Sequence, residues 1–143
     1  MSQTLGTAIP VLRVASVERS LEYYVGVLGF KVNFQTPGFV SISHDRCNLF
    51  LCEGDQGHSG SWLWIGVSDA QQLFEEWTTK GAKIRHPPTN YDWALEMQVE
   101  DPDGNILRLG SDSIPGQPRG PWLDMNGTLW DPLEDGGWKK RNS

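Results

Sequence analysis

Three polar side chains that could act on a ligand fall on one face of a predicted hairpin. Residues 94–110 (ALEMQVEDPDGNILRLG) alternate apolar and polar side chains on both sides of residues 101–104, where Pro and Gly are typical of a tight turn. Glu96, Gln98 and Arg108 share the polar face, so this face must meet water or a ligand. Glu96 and Gln98 could orient polar groups of a ligand, and Arg108 could pair with Glu96 or with an anion.

Aromatic side chains form the second group with binding potential. The chain holds seven Trp residues among 143. Trp62 and Trp64 share one face of a predicted strand by alternation, and Phe50 lies on the matching strand of the first half. Several rings with a few polar groups are the usual lining of a small-molecule pocket. Trp62 would either fill such a pocket or line it, whereas Trp77 lies on a helical stripe and is predicted to be a core residue.

Residue types typical of covalent or metal chemistry are poorly placed for it. The sequence has no nucleophile elbow, Gly-rich phosphate loop or Cys-x-x-Cys motif. The histidines His44, His58 and His86 fall at predicted turns or loops, where we expect solvated side chains. Cys47 and Cys52 lie on one predicted strand about 16 Å apart. A disulfide needs Cα atoms within about 7 Å, so we expect two reduced thiols.

The elements that position these side chains occur as a repeat of strand, helix and three strands. In the first half, the strands are predicted at residues 9–14, 30–34, 39–43 and 47–52, and a helix runs from a Ser16 cap to a stop at Gly29. In the second half, they are predicted at residues 62–67, 83–85 and the hairpin, with a helix from Ser68 or Asp69 to Gly81 and a Pro-rich loop at residues 86–92. The helices align at an offset of 52 and the first strands at 53.

This doubled βαβββ pattern predicts an α+β fold. Each half would bury one sheet face under its own helix, and the opposite faces must close on each other or on a partner chain. We expect one domain over residues 1–110, with modules at about 8–53 and 61–110 joined by a linker rich in Gly and charge.

Charge and hydropathy exclude several partners. The formal net charge of −6 argues against nucleic acid and anionic membranes. No apolar run approaches the roughly 20 residues of a membrane-spanning helix, and no signal peptide opens the chain. A cytoplasmic protein is therefore expected.

Residues 111–143 follow the repeat and have a different composition. They contain Trp122, Trp130 and Trp138 among five Gly and four Pro, without a lasting helical or alternating period. Disordered tails are poor in aromatic residues, so we predict an extended C-terminal strap that buries these rings. It could pack on its own barrel, cover the cleft of the other subunit or act as a flexible lid.

Three short motifs in this order resemble one protein family. They are residues 9–12 (IPVL), the run at residues 23–30 (YYVGVLGF) and residues 100–105 (EDPDGN). Together with the doubled βαβββ pattern, they resemble the glyoxalase / bleomycin resistance / extradiol dioxygenase group, the vicinal oxygen chelate superfamily, over residues 8–111. Within the group, the likeness is closest to the bleomycin-binding resistance proteins. The resemblance implies an open barrel of mixed sheets, and a homodimer with ligand clefts at the subunit interface and an N-terminal arm exchanged around Pro10.

The same resemblance implies where metal ligands and drug contacts would lie. Metal-dependent members carry His, Gln or Glu at four inward positions, which here are Ile9, Phe50, Trp62 and Arg108. None of these is a metal ligand, so we expect neither a metal nor another cofactor, and no catalytic residue is assigned. In the resistance proteins a flat heteroaromatic tail stacks on rings, and the matching positions here are Phe34, Phe39, Trp64 and Trp93. The full predicted ligand site comprises Phe34, Phe39, Phe50, Trp62, Trp64, Trp93, Glu96 and Arg108.

Three hypotheses for function remain open at this level. The first is a metal-free binding protein of the bleomycin resistance type, which sequesters a planar, possibly cationic organic molecule or antibiotic at a dimer interface. The second is a lyase or dioxygenase of the same superfamily, either metal-dependent or metal-free, with Glu96 as acid/base and Arg108 holding an anion. The third is a non-catalytic dimeric module that contacts a partner through its Trp-rich tail.

Overall fold

Two four-stranded sheets, each with one helix, form the body of the chain. A computed structural model describes residues 3–142. The first module consists of β1 (Val11–Arg13), α1 (Val17–Tyr24), β2 (Lys31–Thr36), β3 (Phe39–His44) and β4 (Cys47–Cys52). The second consists of β5 (Trp62–Gly66), α2 (Ala70–Thr79), β6 (Lys83–Asn90), β7 (Leu95–Glu100) and β8 (Ile106–Ser111). The strand orders β1-β4-β3-β2 and β5-β8-β7-β6 are equivalent, and the described sheets do not close into a barrel. The predicted α+β fold with doubled βαβββ modules is confirmed.

Local signals at the helix ends explain where both helices begin. Ser16 accepts a hydrogen bond from the backbone N–H of Arg19, and Asp69 accepts one from the N–H of Gln72, as N-cap residues do. The first helix ends at Tyr24, earlier than predicted, because Val25, Gly26 and Val27 are poor helix formers. The segment after Tyr24 continues as turns up to Gly29, which has a positive φ of 81°.

The helix-facing sides of both sheets share one hydrophobic core. Buried residues of the two modules, among them Leu12, Val40, Met97 and Leu107, belong to a single cluster. Trp77 is buried there, as predicted. The modules are also joined by the turn between β7 and β8, where the buried Tyr24 hydroxyl donates to Asp101 at 2.9 Å. As a result, the helix-free face of each sheet points away from the shared core.

The Pro-rich segment after α2 departs from the sequence prediction. Residues 86–90 were expected in a loop but belong to β6, and His86 therefore lies on a strand. Prolines are tolerated here because β6 is an edge strand with register shifts between Ile84 and His86 and between His86 and Thr89. Burial lowers the pKa of His86 below its ordinary value. His58 lies in the loop before β5, as predicted, whereas His44 is the last residue of β3, directly before a turn.

Residues 112–142, which we call the C-terminal strap, fold into a small antiparallel sheet. Its strands are β9 (Trp122–Leu123), β10 (Leu129–Pro132) and β11 (Trp138–Lys140), in the order β11-β10-β9. The turn between β9 and β10 is held by Asp124, whose carboxylate accepts the N–H groups of Asn126 and Thr128. Strands of two to four residues are too short to show alternation, which is why the sequence revealed only an extended strap.

Two further structural findings bear on the sequence predictions. Cys47 and Cys52 are both free thiols. Neither of the helices described within residues 3–142 is long and apolar enough to span a membrane.

Candidate functional site

A buried carboxylate organises the helix-free face of the second module. Glu96 on β7 is only 1% exposed, and it forms a two-point ion pair with Arg108 on β8, with Nε to Oε2 at 2.8 Å and Nη2 to Oε1 at 3.1 Å. The indole N–H groups of Trp64 and Trp93 both donate to Oε1 of Glu96, each at 2.9 Å. Four N–H donors therefore converge on one carboxylate, and this fixes the orientation of a guanidinium and two indole rings.

The Trp64 ring lies flat on the sheet because its neighbours have no side chains. Gly66 and Gly110 are paired across β5 and β8, and a Cβ added at Gly110 would lie 2.5 Å from Cζ2 of Trp64. One side of the indole thus covers glycine backbone, while Trp64 remains 50% exposed. Trp93 is 49% exposed and stacks on Tyr91, with ring centroids 4.7 Å apart and planes 3° from parallel. These two indoles form flat platforms that are held in place and open to solvent.

The strap covers the neighbouring part of the same face. Trp122 lies over Arg108, with the guanidinium carbon 4.9 Å from the ring centroid, and its ring also contacts Trp62. Arg85 stacks on the ring of Trp62 at 5.2 Å. The strap therefore packs Trp122 against the second module, where the ring is only partly buried, and Trp62 belongs to the packing beneath it.

Hydrogen bonds to backbone carbonyls fix the strap on this face. The amide of Gln98 donates to the Leu123 carbonyl at 2.9 Å, and Arg85 donates to the Asp124 carbonyl at 2.5 Å. The Tyr91 hydroxyl donates to the Pro121 carbonyl at 2.7 Å, and burial raises the pKa of Tyr91 to about 12. Gln98 was predicted to orient a ligand, but in the structure its amide binds the strap.

A cavity of about 620 Å³ lies between the strap and two residues of the second module, Trp93 and Arg108. Its lining consists of four indoles, one guanidinium and one carboxylate: Trp93, Trp122, Trp130, Trp138, Arg108 and Asp124. Asp124 accepts a hydrogen bond from the indole N–H of Trp130 at 2.8 Å, which holds the pKa of this carboxyl below its usual range. The volume falls within the range of about 300–1,000 Å³ that small-molecule sites occupy.

The three predicted phenylalanines lie on the helix-free face of the first module. Phe39 contacts Phe50 with ring centroids 5.1 Å apart and Phe34 at 6.2 Å. Phe34 is 53% exposed, so this cluster is open to solvent. The structure therefore divides the predicted site in two: Trp62, Trp64, Trp93, Glu96 and Arg108 come together on one sheet, and the phenylalanines lie on the other. That both groups line one cleft stays a prediction.

Several residues of this region were not assigned to a site from the sequence. Tyr91 supports Trp93 from a segment that was predicted to be a loop, and Asp124 was assigned no role at all. The strap tryptophans were expected to be buried, but the cavity that they line was not foreseen. The only signal in the sequence was the density of Trp in a segment rich in Gly and Pro.

Comparison with known proteins now gives the family. Residues 6–109 match the sequence profile of the Glyoxalase/Bleomycin resistance protein/Dioxygenase superfamily. The chain belongs to this superfamily. Its strap lies outside the matched residues.

Relatives in the superfamily include proteins named for antibiotic resistance or binding. The chain is 26% identical over 119 residues to the phenazine antibiotic resistance protein EhpR of Enterobacter agglomerans, a match that covers 74% of this chain and 92% of that protein. It is similar to the bleomycin-binding protein of Streptomyces verticillus, solved with copper(II)-bleomycin, at 26% identity and a TM-score of 0.65, over 79% of this chain and 100% of that one. TioX from Micromonospora sp. ML1 shares the fold at 19% identity and a TM-score of 0.65, over 74% of this chain and 98% of that one.

The residues at the metal positions of the superfamily do not fit a metal ion. Phe50 and Trp62 offer no suitable donor atom, and Arg108 would place a positive charge beside a cation. The adjacent carboxylate of Glu96 already accepts four N–H bonds. Within residues 3–142, no three His, Cys, Asp or Glu side chains lie close enough together to hold an ion.

Proposed function

We propose that this chain is a metal-free binding protein that sequesters a planar organic molecule. Protection would come from holding that molecule in the binding site, without changing it chemically. The observation that carries the proposal is the pair of half-exposed indoles, Trp64 and Trp93, oriented by one buried carboxylate. Rings held in fixed orientations lose little freedom on binding, so stacking on them is effective. Stacked aromatic pairs contribute about 0.5–1.5 kcal/mol beyond area burial.

Binding is a better use of Glu96 than acid–base chemistry. A general base must reach a substrate proton with a free lone pair. Oε1 of Glu96 already accepts three N–H bonds and Oε2 one, and the side chain is only 1% exposed, so a substrate has little access to it. The relatives named for bleomycin binding and phenazine resistance support the same class of function.

We further propose that two copies form the ligand cleft between them. The phenylalanine cluster of the first module is exposed, whereas the second module presents open indoles. Apposing the first face on one copy with the second face on the other would bring the eight predicted site residues together. Residues 3–10 form no strand in this structure and are largely exposed, so an arm around Pro10 would be available for exchange between subunits.

Tryptophan fluorescence with phenazine and with metal-free bleomycin tests the ligand proposal. We expect saturable quenching by at least one compound, with affinity reduced about tenfold in Trp64→Leu and in Trp93→Leu, because each substitution removes one stacking surface. Val25→Ala on the outside of the first module serves as the control and should bind normally. Binding that survives both tryptophan substitutions would exclude this face as the site.

Two measurements test the remaining parts of the proposal. Sedimentation of the native protein should show a dimer. The dimer of the Phe34→Asp variant should dissociate more readily on dilution, because a charge would then be buried in the interface. Elemental analysis of the purified protein should find no stoichiometric metal ion. A monomer at high concentration, or a bound ion needed for ligand binding, would contradict the corresponding part.

A further inference from the structure

The strap contributes most of the wall of the aromatic cavity. Trp122, Trp130, Trp138 and Asp124 come from the strap, whereas the second module supplies Trp93 and Arg108. The superfamily match ends at residue 109, so these four side chains lie beyond it. Most of the wall of this site is thus a property of the segment that follows the superfamily domain.

The wall is connected directly to a stacking platform. Trp93, which the proposed function assigns to the ligand, contacts Trp122 at 6.0 Å with its plane 74° away and Trp138 at 6.4 Å with its plane 51° away. The strap rings are therefore tilted toward the Trp93 platform and do not lie flat against it. A flat ligand on Trp93 would meet the edges or faces of these rings as a side wall, which is a favourable aromatic arrangement.

The polar groups of the cavity are already satisfied by the protein. Arg108 is held by Glu96 and covered by Trp122, and Asp124 accepts hydrogen bonds from two backbone N–H groups and from Trp130. Throughout the described chain, every buried side-chain nitrogen or oxygen has a hydrogen-bond partner. A ligand that enters therefore finds aromatic faces, and few donors or acceptors that need a partner.

Formal charges around the cavity are also matched. Glu96 neutralises Arg108, and Asp124 lies close enough to Arg85 for that guanidinium to lower its pKa further. On the outer side, Arg119 stacks on Trp138 and lies 3.9 Å from a carboxylate oxygen of Asp92. An anionic ligand would lose part of its hydration here without gaining an unpaired counter-charge, which is unfavourable.

We propose that the C-terminal strap is a wall of the ligand site and restricts it to flat polycyclic aromatic molecules that carry no negative charge. This inference rests on the proposed function, and it adds the class of ligand and the segment that selects it. Trp130 is the main selecting residue, because it lines the cavity and its orientation is fixed by Asp124.

Acridine and acridine-9-carboxylate provide a pair of probes with the same ring system and different charge. Isothermal titration at a pH where acridine is uncharged should show acridine bound at least tenfold more tightly than the carboxylate. Trp130→Leu should weaken acridine binding by about tenfold. Met125→Ala, which changes a 76% exposed residue on the same strap outside the cavity, should leave binding unchanged.

The outcomes separate this inference from the proposed function. Equal or tighter binding of acridine-9-carboxylate would overturn the exclusion of anions, and normal acridine binding in Trp130→Leu would overturn the role of the strap. In both cases binding that still depends on Trp64 and Trp93 would leave the proposed function standing. If neither compound binds the native protein, both proposals fail for fused aromatic rings. Thermal unfolding of each variant identifies misfolding, and Trp130→Phe, which keeps a ring, should then retain most of the binding.

Discussion

The helix-free faces of the two modules use equivalent positions for opposite purposes. Phe50 lies opposite Val11 and Ser41 in the first sheet, as Arg108 lies opposite Trp64 and Gln98 in the second. By the same register Phe39 corresponds to Glu96. Phe39 and Phe50 make a ring contact at 5.1 Å in the first module. At the equivalent positions of the second module, Glu96 and Arg108 form an ion pair instead.

This difference decides what each face can do. The phenylalanine rings contact one another without a polar anchor, so the first face is suited to burial against a partner. The ion pair of the second face, in contrast, directs Trp64 and Trp93 through their indole N–H groups. The strap packs on the second face and leaves the phenylalanine cluster of the first partly exposed. A common backbone thus supports a partly exposed ring cluster on one module and an indole-lined pocket on the other.

The largest expected effect is at the ion pair. Glu96→Ala should destabilise the protein by about 3 kcal/mol, because it leaves a partly buried guanidinium and two indole N–H groups without their acceptor. Chemical denaturation measures this loss. Glu96→Gln, which preserves the shape and one acceptor oxygen, should cost less. Equal stability of Glu96→Ala and native protein would show that the ion pair does not organise the face.

Substitutions of the glycines beneath the Trp64 ring should give the next largest loss of stability. Gly110→Ala should cost about 1–3 kcal/mol, because its methyl group would overlap the indole ring and Ala94 lies close on another side. The matched control is Gly66→Ala, whose methyl group would lie 3.3 Å from the same ring and should cost less. Displacement of the Trp64 ring should lower the stability measured by chemical denaturation and weaken the quenching of tryptophan fluorescence by phenazine. Identical behaviour of the two variants would argue against a ring fixed flat on the sheet.

The anchor between Tyr91 and the strap should have a smaller effect that depends on pH. Tyr91→Phe removes the hydrogen bond to Pro121 and should cost about 1 kcal/mol at neutral pH. Because the pKa of Tyr91 is raised from 10.0 to about 12, its unfolded form releases the proton first, and stability is lost as pH rises between these values. The stability difference between native protein and Tyr91→Phe should therefore shrink across that range. A constant difference would exclude Tyr91 as the titrating group.

The smallest effect on the single chain is expected in the first module. Phe34→Ala should change the stability of the isolated chain by less than about 0.5 kcal/mol, because the side chain is exposed. The same substitution should weaken dimerisation measured by sedimentation. A large loss of stability in dilute, monomeric protein would show that the cluster belongs to the internal packing of the module.

Local patterns in the sequence were sufficient for much of the fold. Alternation, the caps at Ser16 and Asp69 and the tight turn after Glu100 depend on neighbouring residues, so they predicted the doubled βαβββ pattern and the hairpin. The prediction of a loop at residues 86–90 was wrong, because an edge strand such as β6 tolerates prolines and edge position is not a local property of the sequence. Alternation also placed Glu96 and Arg108 on one face correctly.

The sequence by itself determined which side chains face away from the core, since that follows from a period of two. Only the tertiary structure decided which of them meet. The convergence of Trp64 and Trp93 on Glu96 joins β5, β7 and the segment before β7, and the cavity walls come from residues 93–138. Contacts between distant segments depend on sheet register and on where the strap packs, and neither is encoded by the spacing of neighbouring residues.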